Sequence, residues 1–366
     1  MYELIFLIAL SLYFLQIIIF IIGAGKKYNK ISEADLPSIS IIVAARNEEN
    51  NILECISSLD NLIYPSDKIE IIIVNDNSTD RTGEIIKKFA SGKSKFKVLE
   101  STDKIGNLKG KANAIANAIK KSSGEVILTT DADCSVSPTW AKTLASHYRD
   151  DVAIVCGYTN QFDENIFEGM QSVDFIYLLT VAAGTMNLGK PLSCIGNNMS
   201  YRRSVYEEVG GYEAIPFSVT EDFKLLMTIH SLKKYKIIYP LEAEGLVTSK
   251  ACSDFKSLYW QKKRWGVGGL DSDLIGYSVM ASGFVAHICM LILPFLFSVN
   301  ALYLTVFKIF TDYYFIKSVY KKLNLKLKFS HFAAFELYFI LYVIWLPISV
   351  TFSRNVKWKG REYTRK

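Results

Sequence analysis

The segment SISIIVAARNEENNILECISSLD (38–60) decides the fold. Ile39 to Ala45 is a β-branched apolar run, Arg46-Asn47-Glu48 is a polar turn, and helical spacing resumes from about Glu49 to Leu59. A buried strand, a turn and a helix in that order open a βαβ unit. The pattern repeats downstream, with strands expected at Ile69–Val74, Lys97–Glu100 and Glu125–Thr130 and helices at Arg81–Phe89 and Ala112–Lys120. The class this implies is α/β: a Rossmann-like, mostly parallel sheet with flanking helices. Ligands of open sheets gather at the carboxyl ends of the strands, and Arg46, Asp76 and Asp131 all fall just past such ends.

After Pro138 the pattern loosens. A helix to about Tyr148, a strand at Val152–Tyr158, a long helix over 165–186 and a Gly-rich turn at Gly196 are expected. Helices near Ser204–Val209 and Asp222–Leu232 and a strand at Lys236–Tyr239 follow. Ser253–Gly269 mixes Phe255, Tyr259, Trp260 and Trp265 with Lys256, Lys262, Lys263 and Arg264, which suits a helix at a membrane interface.

Of the 366 residues 50% are hydrophobic, and their distribution separates a soluble domain from membrane segments. Residues 4–25, 274–307 and 337–353 contain no Asp, Glu, Lys or Arg, and about 20 apolar residues span a bilayer. The first run reads as a retained anchor, because only Glu3 precedes it and no small-residue cleavage pattern follows. The expected organisation is an anchor over 1–25, a water-soluble domain over 26–252, an interfacial helix over 253–273, membrane or interfacial helices over 274–353 and a basic tail over 354–366. Lys308, Asp312, Glu336 and Pro347 interrupt the C-terminal segments, leaving the count at three or four spans. Lys26, Lys27 and Lys30 follow the first run, so the positive-inside rule puts the soluble domain in the cytoplasm of a multi-pass protein of the cytoplasmic membrane.

The net charge of +6 does not point to nucleic acid, because basic residues gather beside apolar runs, at Lys317, Lys321, Lys322, Lys326 and Lys328 and again in the tail. Six scattered cysteines without a Cys-x-x-Cys pair argue against a structural zinc or a disulfide framework. Cys134 reads as a packing residue.

Four polar patches carry candidate chemistry. In IEIIIVNDNSTD (69–80), Asp76 ends a strand where a carboxylate can accept from a base or ribose edge, while Asp80 reads as a helix cap. Asp131-Ala132-Asp133 leaves the apolar strand Val126-Ile127-Leu128, and two such carboxylates can share a hard divalent ion with substrate phosphates. Asp222 lies in the first turn of an expected helix, with Thr220 as its cap, and can take a proton from an acceptor hydroxyl. Gln261 and Arg264 share a helical face, where Arg can neutralise a leaving diphosphate, and Trp265 offers an apolar surface.

Taken in order, these motifs resemble the family 2 glycosyltransferases of the GT-A fold, in particular the membrane-bound branch containing hyaluronan, chitin and cellulose synthases and ceramide glucosyltransferases. The resemblance covers roughly residues 38 to 270. It implies that Arg46 helps hold a uracil ring beside Asn47-Glu48, that Asp76 and Glu48 belong to the nucleotide site, and that Lys111 of Gly110-Lys111 approaches the diphosphate. It further implies that Asp131 and Asp133 bind the donor and its Mg or Mn, that Asp222 is the general base, and that Gln261, Arg264 and Trp265 close the donor site. Asn75 departs from the pattern, since that position is often also Asp. The implied activity is inverting hexosyl transfer from a nucleotide sugar, read as UDP-linked, with the acceptor left open.

The chain supplies fewer membrane helices than an export channel needs, which favours a single addition to a membrane lipid or isoprenoid over a processive polysaccharide synthase. Trp358-Lys359-Gly360-Arg361-Glu362-Tyr363 resembles the end of hopanoid- and carotenoid-associated glycosyltransferases. A binding protein that kept the fold and lost the chemistry is disfavoured by the full set of carboxylates. A Rossmann oxidoreductase lacks its G-x-G-x-x-G after the first strand. Oligomeric state is not legible.

Overall fold

β1 (Ile39–Ala45) is buried along nearly its whole length, because its neighbours cover both faces. It pairs in parallel with β2 (Ile69–Asn75) on one side and β4 (Val126–Asp131) on the other, and β2 pairs in parallel with β3 (Phe96–Glu100). The computed structural model describes residues 1–366 except Thr102, Phe217, Val219, Asp271–Asp273, Lys359, Gly360, Arg365 and Lys366, and gives backbone alone at 358 and 361–364. The end of the expected interfacial helix and part of the basic tail lie outside the described residues.

Three more strands complete the sheet: β6 (Val152–Cys156), β8 (Met199–Arg202) and β9 (Lys236–Ile238), in the order β3-β2-β1-β4-β8-β6-β9. β8 runs antiparallel to both β4 and β6 and was not expected from the sequence. Short strands β5 (Cys134–Val136), β7 (Thr159–Gln161) and β10 (Val247–Ser249) form a second sheet in the order β5-β10-β7. Helices Ile52–Asp60, Thr82–Ala90 and Gly110–Lys120 follow β1, β2 and β3. The core is aliphatic, with Ile41, Val43, Ile71 and Leu128 fully buried. Burying each such side chain contributes about 1.5–3 kcal/mol, so the parallel strands form a rigid platform.

These elements, Lys26–Asn160 with Ser193–Lys250, make one compact unit. The other gathers Met1–Gly25, Gln161–Leu192 and Ala251–Lys366. It is helical, with helices Tyr2–Ala24, Ile166–Asn187, Phe255–Gly269, Leu274–Ile292, Val299–Lys322 and Phe329–Phe352, and its tail carries a backbone hairpin of β11 (Asn355–Trp358) and β12 (Arg361–Thr364). Four helices are long and apolar enough to cross a membrane: Tyr2–Ala24, Ile166–Asn187, Leu274–Ile292 and Phe329–Phe352. The long helix expected within the soluble domain is thus one of the four by length and composition, whereas Val299–Lys322, interrupted by Lys308 and Asp312, is not.

That charge is paired inside the helical unit. Lys308 Nζ lies 2.9 Å from Asp312 and 2.8 Å from Glu336, and the Tyr13 hydroxyl donates to Asp312 at 2.8 Å. In the Phe255–Gly269 helix, capped by Asp254 through Ser257 N, Lys262 and Lys263 are buried rather than solvated. Lys262 pairs with the buried Asp174. A charge removed from water needs such a partner.

Candidate active site

Strand register puts the polar patches of the sheet unit at one edge. Ala45 of β1 is level with Asn75 of β2, and Ala44 with Asp131 of β4, so Arg46, Asp76 and Asp131 leave the sheet side by side. Asp76 is buried, and its backbone N–H donates to Ala45 O at 2.8 Å. Arg46 Nη1 donates to Asp76 O at 3.0 Å, while its Nε is buried without a hydrogen-bond partner among the described residues. The turn after β1 is held by its partner after β2: Asn47 (φ 52°) accepts from Thr79 N at 2.9 Å, and Glu48 N donates to Thr82 Oγ1 at 2.8 Å. Glu48 itself is buried and accepts from Asn51 Nδ2 at 2.7 Å. Asp80 accepts from Thr82 N at 3.0 Å and from Glu49 N at 3.1 Å, tying the two turns together, while the N-cap position expected of it falls to Arg81.

Gly110 opens its helix with φ 56°, a left-handed backbone that only glycine adopts without strain. The turn delivers Lys111 to Asp131, Nζ to Oδ1 at 2.5 Å, and to Glu221 Oε1 at 3.8 Å. Burial alone would lower the Lys111 pKa, but the Asp131 and Glu221 carboxylates and the hydrogen bond to Asp131 raise it above the ordinary lysine value. It is therefore a fixed cation. Cys55 and Cys134 lie behind the carboxylates; burial pushes both thiols up, and the nearby Asp133 and Asp131 charges push further. Neutral thiols there fit the packing role.

Asp222 sits in the first turn of the Glu221–Ser231 helix, as expected. Thr220 occupies the N-cap position, yet its hydroxyl meets Ser218 Oγ at 3.1 Å and makes no cap bond, which corrects the expectation. A Cβ built on Gly196 would meet Asp222 Oδ2 at 3.0 Å, so a bare backbone leaves room for this carboxylate. Gly196 is held in turn by Thr129 of β4, whose hydroxyl donates to Gly196 O at 2.7 Å. Sequence reasoning marked Gly196 only as a turn; its contact to Asp222 and that of Glu221 to Lys111 needed the fold.

Gln261, Arg264 and Trp265 belong to the helical unit. Gln261 and Arg264 are partly buried, and the Trp265 ring is stacked on Phe175 with centroids 5.6 Å apart and Lys262 Nζ at 4.5 Å. The sheet unit thus brings together Asp131, Lys111 and Glu221, and places Arg46 beside Asp76 and Asp222 beside Gly196. Among the described residues no three His, Cys, Asp or Glu side chains are grouped to hold a metal by themselves. Two carboxylates at a strand end still fit a hard divalent ion, which commonly completes its shell with substrate phosphates and water.

The whole arrangement, a mostly parallel sheet with acidic groups at one edge, is that of GT-A. The description Glycosyl transferase family 2 matches residues 40–210, and Glycosyl transferase family group 2 matches residues 126–352. The chain belongs to the family 2 glycosyltransferases. Among curated relatives it is 30% identical to the "Probable glycosyltransferase YdaM" of Bacillus subtilis, over 64% of this chain and 56% of that one. It is 29% identical to the beta-monoglucosyldiacylglycerol synthase of Nostoc, over 67% and 51%, and 26% identical to a poly-beta-1,6-N-acetyl-D-glucosamine synthase of Staphylococcus epidermidis, over 66% and 56%. The matches thus span about half the length of these relatives. A mannosyltransferase of Pyrobaculum calidifontis, solved with GDP-Man and Mn2+, shares the fold over 95% of this chain and 98% of its own, with a TM-score of 0.65 at 16% identity.

Proposed function

We propose that this chain is a membrane-bound inverting glycosyltransferase that moves a hexose from a nucleoside-diphosphate sugar to a hydroxyl of a membrane lipid or isoprenoid. The observation that carries it is Lys111 joining Asp131, on the donor motif, to Glu221, beside the proposed base Asp222. Arg46, with its orphaned Nε, Glu48 and Asp76 form the nucleotide end, and the Arg46 guanidinium favours a uracil edge. Asp131 and Asp133 would hold a Mg or Mn ion, which supplies charge neutralisation to the departing diphosphate when bound.

In the reaction Asp222 accepts the proton of the acceptor hydroxyl as its oxygen forms a bond to the anomeric carbon. The bond from that carbon to the diphosphate oxygen breaks, and the nucleoside diphosphate leaves with the electron pair. A single displacement inverts the configuration. The Nostoc relative's name supports a lipid acceptor. The apolar helices Tyr2–Ala24, Leu274–Ile292 and Phe329–Phe352 support a membrane setting, and Lys26, Lys27 and Lys30 after the first of them favour a cytoplasmic soluble part.

The Staphylococcus relative's name supports a second reading, polymer synthesis. Membranes carrying the full chain, incubated with labelled UDP-sugars and GDP-sugars, separate the two. Label entering the organic phase is expected; label in long water-soluble chains would replace the lipid reading with the polymer one, and no transfer from any donor would sink both.

A further inference from the structure

A cation stands against Asp131, one of the two carboxylates read as the metal pair. Lys111 Nζ is 2.5 Å from Asp131 Oδ1 and 3.8 Å from Glu221 Oε1, on a side chain only one-fifth exposed. The left-handed Gly110 fixes where this lysine starts. An ammonium at hydrogen-bond distance from a carboxylate oxygen uses the lone pairs a divalent ion would need, and repels a second cation arriving beside it.

We propose that Lys111 is a placeholder: in the absence of donor it occupies Asp131 and so keeps the Asp131–Asp133 pair from binding a divalent ion, releasing Asp131 only when a diphosphate supplies the anionic oxygens that draw the ammonium away. This rests on the reading of Asp131 and Asp133 as the metal pair. Two consequences follow from charge. Metal and nucleotide bind with positive coupling, because the diphosphate both ligates the ion and takes over the lysine. Glu221 is the second anchor, and as Lys111 leaves Asp131 it stays within reach, next to Asp222. The lysine therefore reports donor arrival to the end of the site that handles the acceptor.

The test reads Mn2+ uptake by the full-length protein in detergent, from the loss of the free-ion EPR signal, with no sugar and no turnover. Wild type should take up Mn2+ weakly alone and at least about tenfold more tightly with UDP or GDP present, since each factor of ten needs only a modest change in local charge interaction. Lys111→Met should bind Mn2+ at least about tenfold more tightly than wild type without nucleotide and lose most of the nucleotide effect. Lys111→Arg, which keeps the cation, should behave like wild type, and Glu221→Gln should fall between the two. Should Lys111→Met fail to fold, the Lys111→Arg and Glu221→Gln pair still decides, because identical nucleotide-free affinities in wild type and Glu221→Gln would overturn the two-anchor latch. Nucleotide-dependent uptake in wild type with no gain in Lys111→Met overturns the placeholder alone. No uptake even with UDP or GDP overturns the underlying metal reading as well.

Discussion

The two ends of β2 hold carboxylates of opposite kinds. Glu70, near its start, accepts from Ser40 Oγ and Lys97 Nζ, each at 2.5 Å, and from Ser123, all within its own chain. Past the other end lies Asp76, and at the same edge, two strands across on β4, lies Asp131, which meets Lys111 along with Glu221. The helical unit repeats the first kind, in Lys262 with Asp174 and Lys308 with Asp312 and Glu336. A carboxylate matched by several of its own chain's donors holds structure; on the proposed reading, carboxylates that share one lysine serve a ligand instead. The contrast breaks if residues of the two kinds respond alike to substitution.

The largest effect belongs to the strand-end pair. Stripping divalent ions with chelator, or Asp131→Asn, should abolish detectable donor turnover, since a bound ion supplies several kcal/mol of charge stabilisation. Thermal unfolding should barely move. Full activity in chelator refutes the metal site. Next comes Asp222→Asn, expected to lose about 10²–10⁴-fold in transfer rate while nucleotide affinity is retained; an undiminished rate removes Asp222 as the base.

Charges of the first kind should behave in reverse. Lys308→Met leaves Asp312 and Glu336 buried together, which should cost about 3–5 kcal/mol of stability. The loss would be seen as a lower unfolding midpoint in detergent, with nucleotide affinity of the folded protein unchanged. An unaltered midpoint would mean the cluster holds no structure. Gly196→Ala tests a support of the site: the added Cβ presses on Asp222 at 3.0 Å. A shift of the base by a fraction of an ångström should lower the rate about 10- to 100-fold with little change in stability.

Sequence alone exposed the parallel half of the sheet because β1, β2 and β4 are continuous apolar runs, as strands covered on both faces must be. It missed β8, whose four residues Met199-Ser200-Tyr201-Arg202 show no such run. Ser200 is nonetheless buried, its hydroxyl meeting Tyr148 and Val155, and Arg202 caps the carbonyls of Val152 and Tyr148. Polar side chains satisfied by distant partners erase the pattern. The burial of Lys262 was illegible for the same reason: only Asp174, 88 positions away, explains it. The positions of Arg46, Asp76 and Asp131 were legible because each follows an apolar strand, whereas Gly196, Glu221 and the failed Thr220 cap depend on which loops the fold brings together.

The smallest effect sharpens the contrast within β2 itself. Burial alone would raise the Glu70 pKa from its ordinary 4.5, but hydrogen bonds from Lys97, Ser40 and Ser123 outweigh it and bring the value down to about 2. Because the folded value is depressed, this carboxylate stabilises the fold above the ordinary value, and the contribution is lost as pH falls from about 4.5 through about 2. Lys97 is half exposed, so water screens part of the interaction and the stabilisation is on the order of 1–2 kcal/mol rather than the full shift. Glu70→Gln keeps the shape and removes the titration. The difference between wild-type and Glu70→Gln unfolding midpoints should therefore be greatest near neutral pH and shrink below about 4, with donor affinity equal in both proteins. A pH-independent difference would show that the hydrogen bonds to Glu70 do not discriminate its charged form, and a loss of donor affinity would show that the start of β2 serves the site after all.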